Sequence, residues 1–98
     1  MNDMQAAAQR TAIDSVLLER RAQDAQWGPI DETKVRRDPA HWLAILMEEV
    51  GEAAQAGLQG PDQQDLIEEV TQLTAVGLAW LEALSMGGPL KIPVDQGG

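Results

Sequence analysis

Three features of this 98-residue chain predict an all-α fold. Phe and Tyr are absent, the only aromatics are Trp27, Trp42 and Trp80, and Ala and Leu supply most of the apolar content. That composition favours helix over strand and excludes an all-β sandwich. Apolar residues recur at helical spacing in three segments of roughly 20 residues. Gly-Pro pairs fall between or after those segments, at Gly28-Pro29, Gly60-Pro61 and Gly88-Pro89. A chain of this length supports one core, so a single domain over residues 1–85 is expected, followed by a flexible tail over 86–98.

The first helix is expected over about Met4 to Asp24, a stretch free of Gly and Pro, with Ile13, Val16, Leu17 and Ala22 near one stripe and Ala12 beside them. Its apolar face is thin. Gln26-Trp27-Gly28-Pro29 breaks the pattern, and the stretch to Arg37 reads as a loop of about a dozen residues, a length that tends to carry function. Asp38-Pro39 is a helix start, an N-capping acid followed by proline at the first helical position, and the pattern runs to about Gly57. Gly60-Pro61 stops it, Asp62 caps a third helix, and Met86-Gly87-Gly88-Pro89 ends that one near Ser85. The tight turn makes the second and third helices an antiparallel hairpin, with the first packed alongside. Their apolar arcs are wider than one hairpin partner covers, which predicts a four-helix bundle completed by oligomerisation, as a homodimer or homotetramer.

Composition narrows the function classes. With no cysteine there is no disulfide framework, thiolate metal site or cysteine nucleophile. A formal net charge of -9 opposes nucleic-acid and anionic-membrane partners. No apolar run is long enough to span a bilayer and the N-terminus lacks a signal-peptide pattern, so a cytoplasmic protein is expected. The charge is unevenly distributed. Residues 1–37 carry six bases and six acids, whereas residues 38–98 carry ten acids and Lys91 alone as a base. The negative excess is therefore either a solvated acidic face or a cation site.

Some of these acids occupy apolar arcs. On a wheel at about 100° per residue, Glu49 falls between Ile45 and Trp42, with Glu52 and Glu48 progressively further out along the same edge. The third helix repeats the arrangement, with Glu69 between Val76 and Trp80 and Gln72 just outside. A carboxylate desolvated without a partner costs several kcal/mol or takes up a proton, so these positions call for a cation or hydrogen bonds. Glu49 and Glu52 stand one helical turn apart, as do Glu48 and Glu52, and an antiparallel hairpin would bring Glu69 opposite Glu49. An all-oxygen set of this kind suits Mg²⁺ or Mn²⁺. The other reading is a solvated acidic stripe.

Trp42-Leu-Ala-Ile-Leu-Met-Glu-Glu-Val-Gly-Glu52, followed by Leu66-Ile-Glu-Glu-Val-Thr-Gln-Leu-Thr-Ala-Val-Gly-Leu-Ala-Trp80, resembles the MazG-like branch of the all-α nucleoside triphosphate pyrophosphohydrolases. Upstream, Glu19-Arg-Arg-Ala-Gln23 and Gln26-Trp27-Gly28 resemble a small phage and bacterial subgroup of that family, so the likeness covers about Glu19 to Leu84. The resemblance implies a dimeric or tetrameric bundle that uses Mg²⁺ to split a nucleoside triphosphate, often a deoxynucleotide, into monophosphate and pyrophosphate. It implies Glu49, Glu52 and Glu69 as metal ligands and Glu48 as the acid that activates water. The fourth ligand in the family is usually an aspartate; here that position is Gln72, which offers an amide oxygen and no charge.

Four further residues are candidates for substrate contact. Trp27 is either a lid that stacks on a base or the anchor of its loop. Lys34 and Arg37, with Arg36 between them, form the densest basic group, suited to β- and γ-phosphates or to salt bridges with acids. His41 is either a phosphate contact or a surface residue, and Trp42 and Trp80 are expected in the core. Two function classes follow: a Mg²⁺-dependent pyrophosphohydrolase, and a helical nucleotide-binding or assembly protein of the same fold that has weak chemistry or none.

Overall fold

The computed structural model describes residues 2–60 and 62–87 and consists of four helices: α1 (Asp3–Trp27), α2 (Glu32–Val35), α3 (Pro39–Leu58) and α4 (Gln63–Met86). Among the described residues there is no strand, and no helix is long and apolar enough to cross a membrane. Each helix begins at a side-chain cap. Asn2 accepts from the Gln5 N–H at 2.7 Å, Asp38 from Ala40 at 2.8 Å and Asp62 from Gln64 at 3.1 Å. These bonds satisfy N–H groups that the first turn leaves without partners. The starts of α3 and α4 therefore follow the Asp38-Pro39 and Asp62 signals.

Two boundaries differ from expectation. The first helix continues through Gln26 and Trp27 and ends at Gly28, whose φ of 85° lies in the left-handed region that favours glycine. The expected loop to Arg37 contains α2, because Asp31 accepts from the Lys34 N–H at 3.0 Å and so caps one turn of helix. A single turn shows no hydrophobic period, which is why the pattern read as loop. Of the tail expected at 86–98, Met86 closes α4 and Gly87 caps it, while residues 88–98 lie outside the described residues.

The fold is organised around α4, which packs against α1, α2 and α3, whereas α1 and α3 flank it without packing directly on one another. Its centre is a row of alanines four residues apart, Ala75, Ala79 and Ala83, all buried. Small side chains at that spacing keep one face of α4 flat and let the neighbouring helices approach. Trp42 covers this row at 4% exposure, its ring parallel to that of Trp80 within 4° at a centroid distance of 6.2 Å. A residue early in α3 thus meets one late in α4, and the hairpin is antiparallel. Trp42 Nε1 donates to the Lys34 carbonyl at 3.3 Å, so the indole is buried with its polar atom satisfied.

Outside this core, apolar surface remains. Leu43, Met47 and Val50 on α3 are exposed, as are Ile67, Val70, Leu81 and Leu84 on α4. The α4 residues, with Thr74 and Gly77 between them, follow an alternating three-four spacing, the spacing of a helix seam that packs against another helix. The flanking of α4 by α1 and α3 also leaves an open wedge between them, and the candidate site occupies it.

Candidate metal centre

Antiparallel pairing in the hairpin brings Glu49 and Glu52 of α3 to Glu69 of α4, with one carboxylate oxygen from each lying within 4.8 Å of the other two. Glu49 and Glu69 are half-buried and Glu52 is exposed, the gradient that the helical wheel predicts. One oxygen of Glu49 and one of Glu69, Oε2 in each case, is shielded from solvent and has no hydrogen-bond partner among the described residues. Unpaired buried polar atoms are rare because each forfeits its hydration without replacement. Here two such oxygens belong to neighbouring acids of one cluster.

The electrostatics agree. Burial pushes the Glu49 carboxyl above the ordinary carboxylate range, and the charges of Glu52, Glu69, Glu48 and Glu19 add to it. Glu69 is likewise raised, first by desolvation, then by the charge of Glu52 and a close contact with it that favours a shared proton, then by Asp65 and Glu68. Among the described residues no base pairs with these acids: the ion pairs there are Arg20 with Asp24 and Glu82, and Arg36 with Glu32. The cluster must hold protons or a cation. Opposed ligands stand about 4 Å apart around Mg²⁺ and about 5 Å around Ca²⁺, and the three oxygens lie within that order of distance of one another. The donors present are thus suited to a divalent metal in charge, ligand type and spacing.

Glu49 also belongs to the wall of a cavity of about 620 Å³ in the wedge between α1 and α3, floored by α4. Its volume is in the range of small-molecule sites. Glu48 and Gln72 line it, Glu48 exposed and Gln72 half-buried, while Glu52 and Glu69 are outside the lining. Of the three-carboxylate cluster, Glu49 alone reaches this cavity, where it lies beside the expected acid Glu48.

The expected substrate contacts divide. Trp27, at 70% exposure, and Arg37 line the cavity. The Arg37 guanidinium sits 4.6 Å from the centroid of the Trp42 ring, a cation–π contact that holds it at the wall with its donors uncommitted to any acid among the described residues. Lys34 also lines the cavity, but its ammonium donates to the carbonyls of Trp27 at 2.9 Å, Gly28 at 2.6 Å and Pro29 at 2.9 Å. All three of its protons are spent on bracing the end of α1. Arg36 pairs with Glu32 at 2.8 Å on the surface, and His41 is exposed outside the lining.

A second polar assembly carries no motif in the sequence. Arg20, at 5% exposure, donates from Nε and Nη2 to both oxygens of Glu82 at 2.8 Å each, from Nη2 to Asp24 at 2.9 Å and from Nη1 to Gln23 at 3.2 Å. The fork holds Glu82 well below the usual carboxylate range and ties α1 to α4. The Arg20–Asp24 spacing of one turn is visible in the sequence; the partner 62 residues away is not.

Compared with family models, curated proteins and solved structures, the chain shows no significant match.

Proposed function

We propose that this protein is a divalent-metal-dependent nucleoside triphosphate pyrophosphohydrolase, converting a nucleoside or deoxynucleoside triphosphate to its monophosphate and pyrophosphate. The observation that carries this reading is the pair of buried, unpartnered oxygens of Glu49 and Glu69 in a three-carboxylate cluster beside a nucleotide-sized cavity. The resemblance of the Trp42-to-Glu52 and Leu66-to-Trp80 segments to MazG-like enzymes supports the same chemistry.

In this reading Glu49, Glu52 and Glu69 hold Mg²⁺ or Mn²⁺, with Gln72 contributing an amide oxygen. The metal, when bound, neutralises phosphate charge and lowers the barrier to attack at phosphorus. Glu48, exposed at the cavity wall, accepts a proton from the attacking water. The water oxygen bonds to one phosphorus of the α–β anhydride as the bridging bond breaks, giving monophosphate and pyrophosphate. Arg37 supplies positive charge to the phosphates, and Trp27 offers its ring to the base. Lys34 acts through structure: by gripping three carbonyls it fixes the end of α1 and hence Trp27.

The exposed seams of α3 and α4 support a homodimer or homotetramer in which a second copy covers them, and a nucleotide hydrolase of this kind works in the cytoplasm. The second reading, a nucleotide-binding or assembly protein without turnover, rests on Gln72, which removes one carboxylate from the set. Pyrophosphate release from a panel of ribo- and deoxynucleoside triphosphates with Mg²⁺ or Mn²⁺ separates the two. Release that requires metal and is lost in Glu49→Gln supports the enzyme; metal and nucleotide binding without release supports the alternative.

A further inference from the structure

Along α1, Glu19, Gln23 and Trp27 form one row, four residues apart, and all three line the cavity. Glu19 lies close enough to Glu49 to raise its pKa, so the row starts at the carboxylates. It leads away from them by about 6 Å per step, reaching Trp27 about 12 Å along the helix. The cavity is therefore polarised, with the carboxylates of Glu19, Glu48 and Glu49 at one end and an exposed indole at the other.

Between these ends lies the Arg20 assembly. The oxygen of Gln23 accepts from Arg20 Nη1 at 3.2 Å, which leaves the amide NH₂ as the group that this side chain offers. Asp24 accepts from Arg20 through Oδ1 alone at 2.9 Å and keeps Oδ2. Both residues line the cavity. Gln and Asp on a helix surface are ordinarily free to change rotamer; here both are held by a guanidinium that is itself buried and locked bidentately onto Glu82. Pre-ordered groups of this kind lose little entropy on binding. Clamping α1 to α4 needs only Arg20 and Glu82, so the fixed donor and acceptor on the cavity side are surplus to the clamp.

We propose that Gln23 and Asp24, fixed by Arg20, form the subsite that reads the hydrogen-bonding edge of the substrate's base, with Trp27 stacking on its face. The amide donates to a ring carbonyl or ring nitrogen, and the carboxylate accepts from a ring N–H or amino group. Adjacent acceptor and donor atoms are what the Watson–Crick edge of a nucleobase displays, and single-stranded bases are commonly held by such bonds together with aromatic stacking. The inference rests on the pyrophosphohydrolase reading for the triphosphate, but the base contact is a matter of binding and does not need turnover.

The test uses two variants and a substrate without a base. Gln23→Glu keeps an oxygen toward Arg20 and replaces the donor by an acceptor; Gln23→Leu removes both. Pyrophosphate release is followed for the four common nucleoside triphosphates and for inorganic tripolyphosphate as phosphate loss, and binding is followed with α,β-imido analogues of the same nucleotides. The expected result is a rise in KM of about tenfold for the preferred nucleotide with kcat little changed, an altered order of base preference in Gln23→Glu, and tripolyphosphate kinetics equal to wild type. A wild-type preference that persists unchanged in both variants, or an equal loss toward tripolyphosphate, overturns the base subsite and leaves the hydrolase standing. Base-selective analogue binding that is lost in Gln23→Glu, in a protein that hydrolyses nothing, supports the subsite and overturns hydrolysis alone. Wild-type protein that binds no analogue overturns both.

Discussion

Glu49 and Glu69 meet across the α3–α4 hairpin, each with one buried oxygen that no hydrogen bond from the described residues satisfies. In metal-free protein this pairing is a source of instability, and its sign with pH is fixed by the direction of the two shifts. Both carboxyls are raised above their unfolded values, so the folded state holds protons that the unfolded state has released. Stability is then greatest below the unfolded carboxylate pKa, about 4.3, and falls as pH rises through the folded values. Glu82 runs the other way: lowered by Arg20, it contributes stability above the unfolded pKa that is lost as pH falls through its folded value. Urea melts in chelator should show the contribution of these two carboxyls being lost as pH rises above the unfolded carboxylate pKa, and Glu49→Gln should flatten that slope. An unchanged slope in the variant would assign the pH dependence elsewhere.

Divalent metal should reverse this penalty. A cation that binds only the folded cluster stabilises by mass action, about 2.7 kcal/mol when its concentration is a hundred times Kd. Melting temperature should rise with millimolar Mg²⁺ or Mn²⁺, and the rise should grow with pH as the raised carboxyls of Glu49 and Glu69 release protons that compete with the metal. Glu49→Gln and Glu69→Gln should each remove most of the rise. A wild-type midpoint unmoved by either metal, with or without nucleotide, would reduce the cluster to a solvated stripe.

The Arg20 fork predicts a stability effect independent of metal. Truncating Arg20 leaves Glu82 and Asp24 without their partner and removes the main polar tie between α1 and α4. Breaking a buried pair from one side costs about 3 to 5 kcal/mol, and the low end applies because the two acids are partly exposed. Arg20→Ala should therefore lose about 3 kcal/mol in denaturant melts, Arg20→Lys most of that because a point charge cannot form the fork. A loss below about 1 kcal/mol for Arg20→Ala would mean that apolar contact alone holds α1 in position.

Exposed Leu43, Met47 and Val50 on α3, and Ile67, Val70, Leu81 and Leu84 on α4, predict self-association. Covering a large apolar side chain is worth about 1.5 to 3 kcal/mol, so a seam of this length supplies enough to associate at micromolar concentration. Sedimentation should find a dimer or tetramer, and Met47→Glu with Leu81→Glu should shift it to monomer. Wild-type monomer at tens of micromolar would contradict the assembly.

What the sequence made legible follows from the range of each signal. The starts of α3 and α4 are local, written by Asp38-Pro39 and Asp62, and the structure forms both caps. Glu49 and Glu69 stood out because a periodic arc makes an intruding charge visible without any knowledge of tertiary structure. By contrast, α2 is one turn with no period to detect, and Lys34 is bound by backbone carbonyls, which have no sequence signature. Arg20 could be paired with Asp24 from its spacing, but its burial depends on α1 packing against Glu82 of α4. Wheels gave the breadth of the apolar arcs; which part of each faces the Ala75–Ala83 row and which stays open is a property of the packing.

Gln72 and Glu48 test separate parts of the proposed chemistry. Gln72 lines the cavity, and its amide oxygen can ligate without supplying charge. Gln72→Asp, one methylene shorter, adds a negative charge facing the cation, so metal affinity should rise several-fold and activity should equal or exceed wild type. Glu48→Gln keeps size and polarity while removing the group that accepts the water's proton; turnover should fall by about 10² to 10⁴ with metal affinity near wild type. Isothermal titration of Mn²⁺ together with pyrophosphate release reads both quantities on each variant. Loss of turnover with loss of metal in Glu48→Gln would move Glu48 into the ligand set. Unchanged affinity in Gln72→Asp, with hydrolysis intact in both Glu48→Gln and Glu49→Gln, would remove the carboxylates from the chemistry and leave the binding-protein reading in its place.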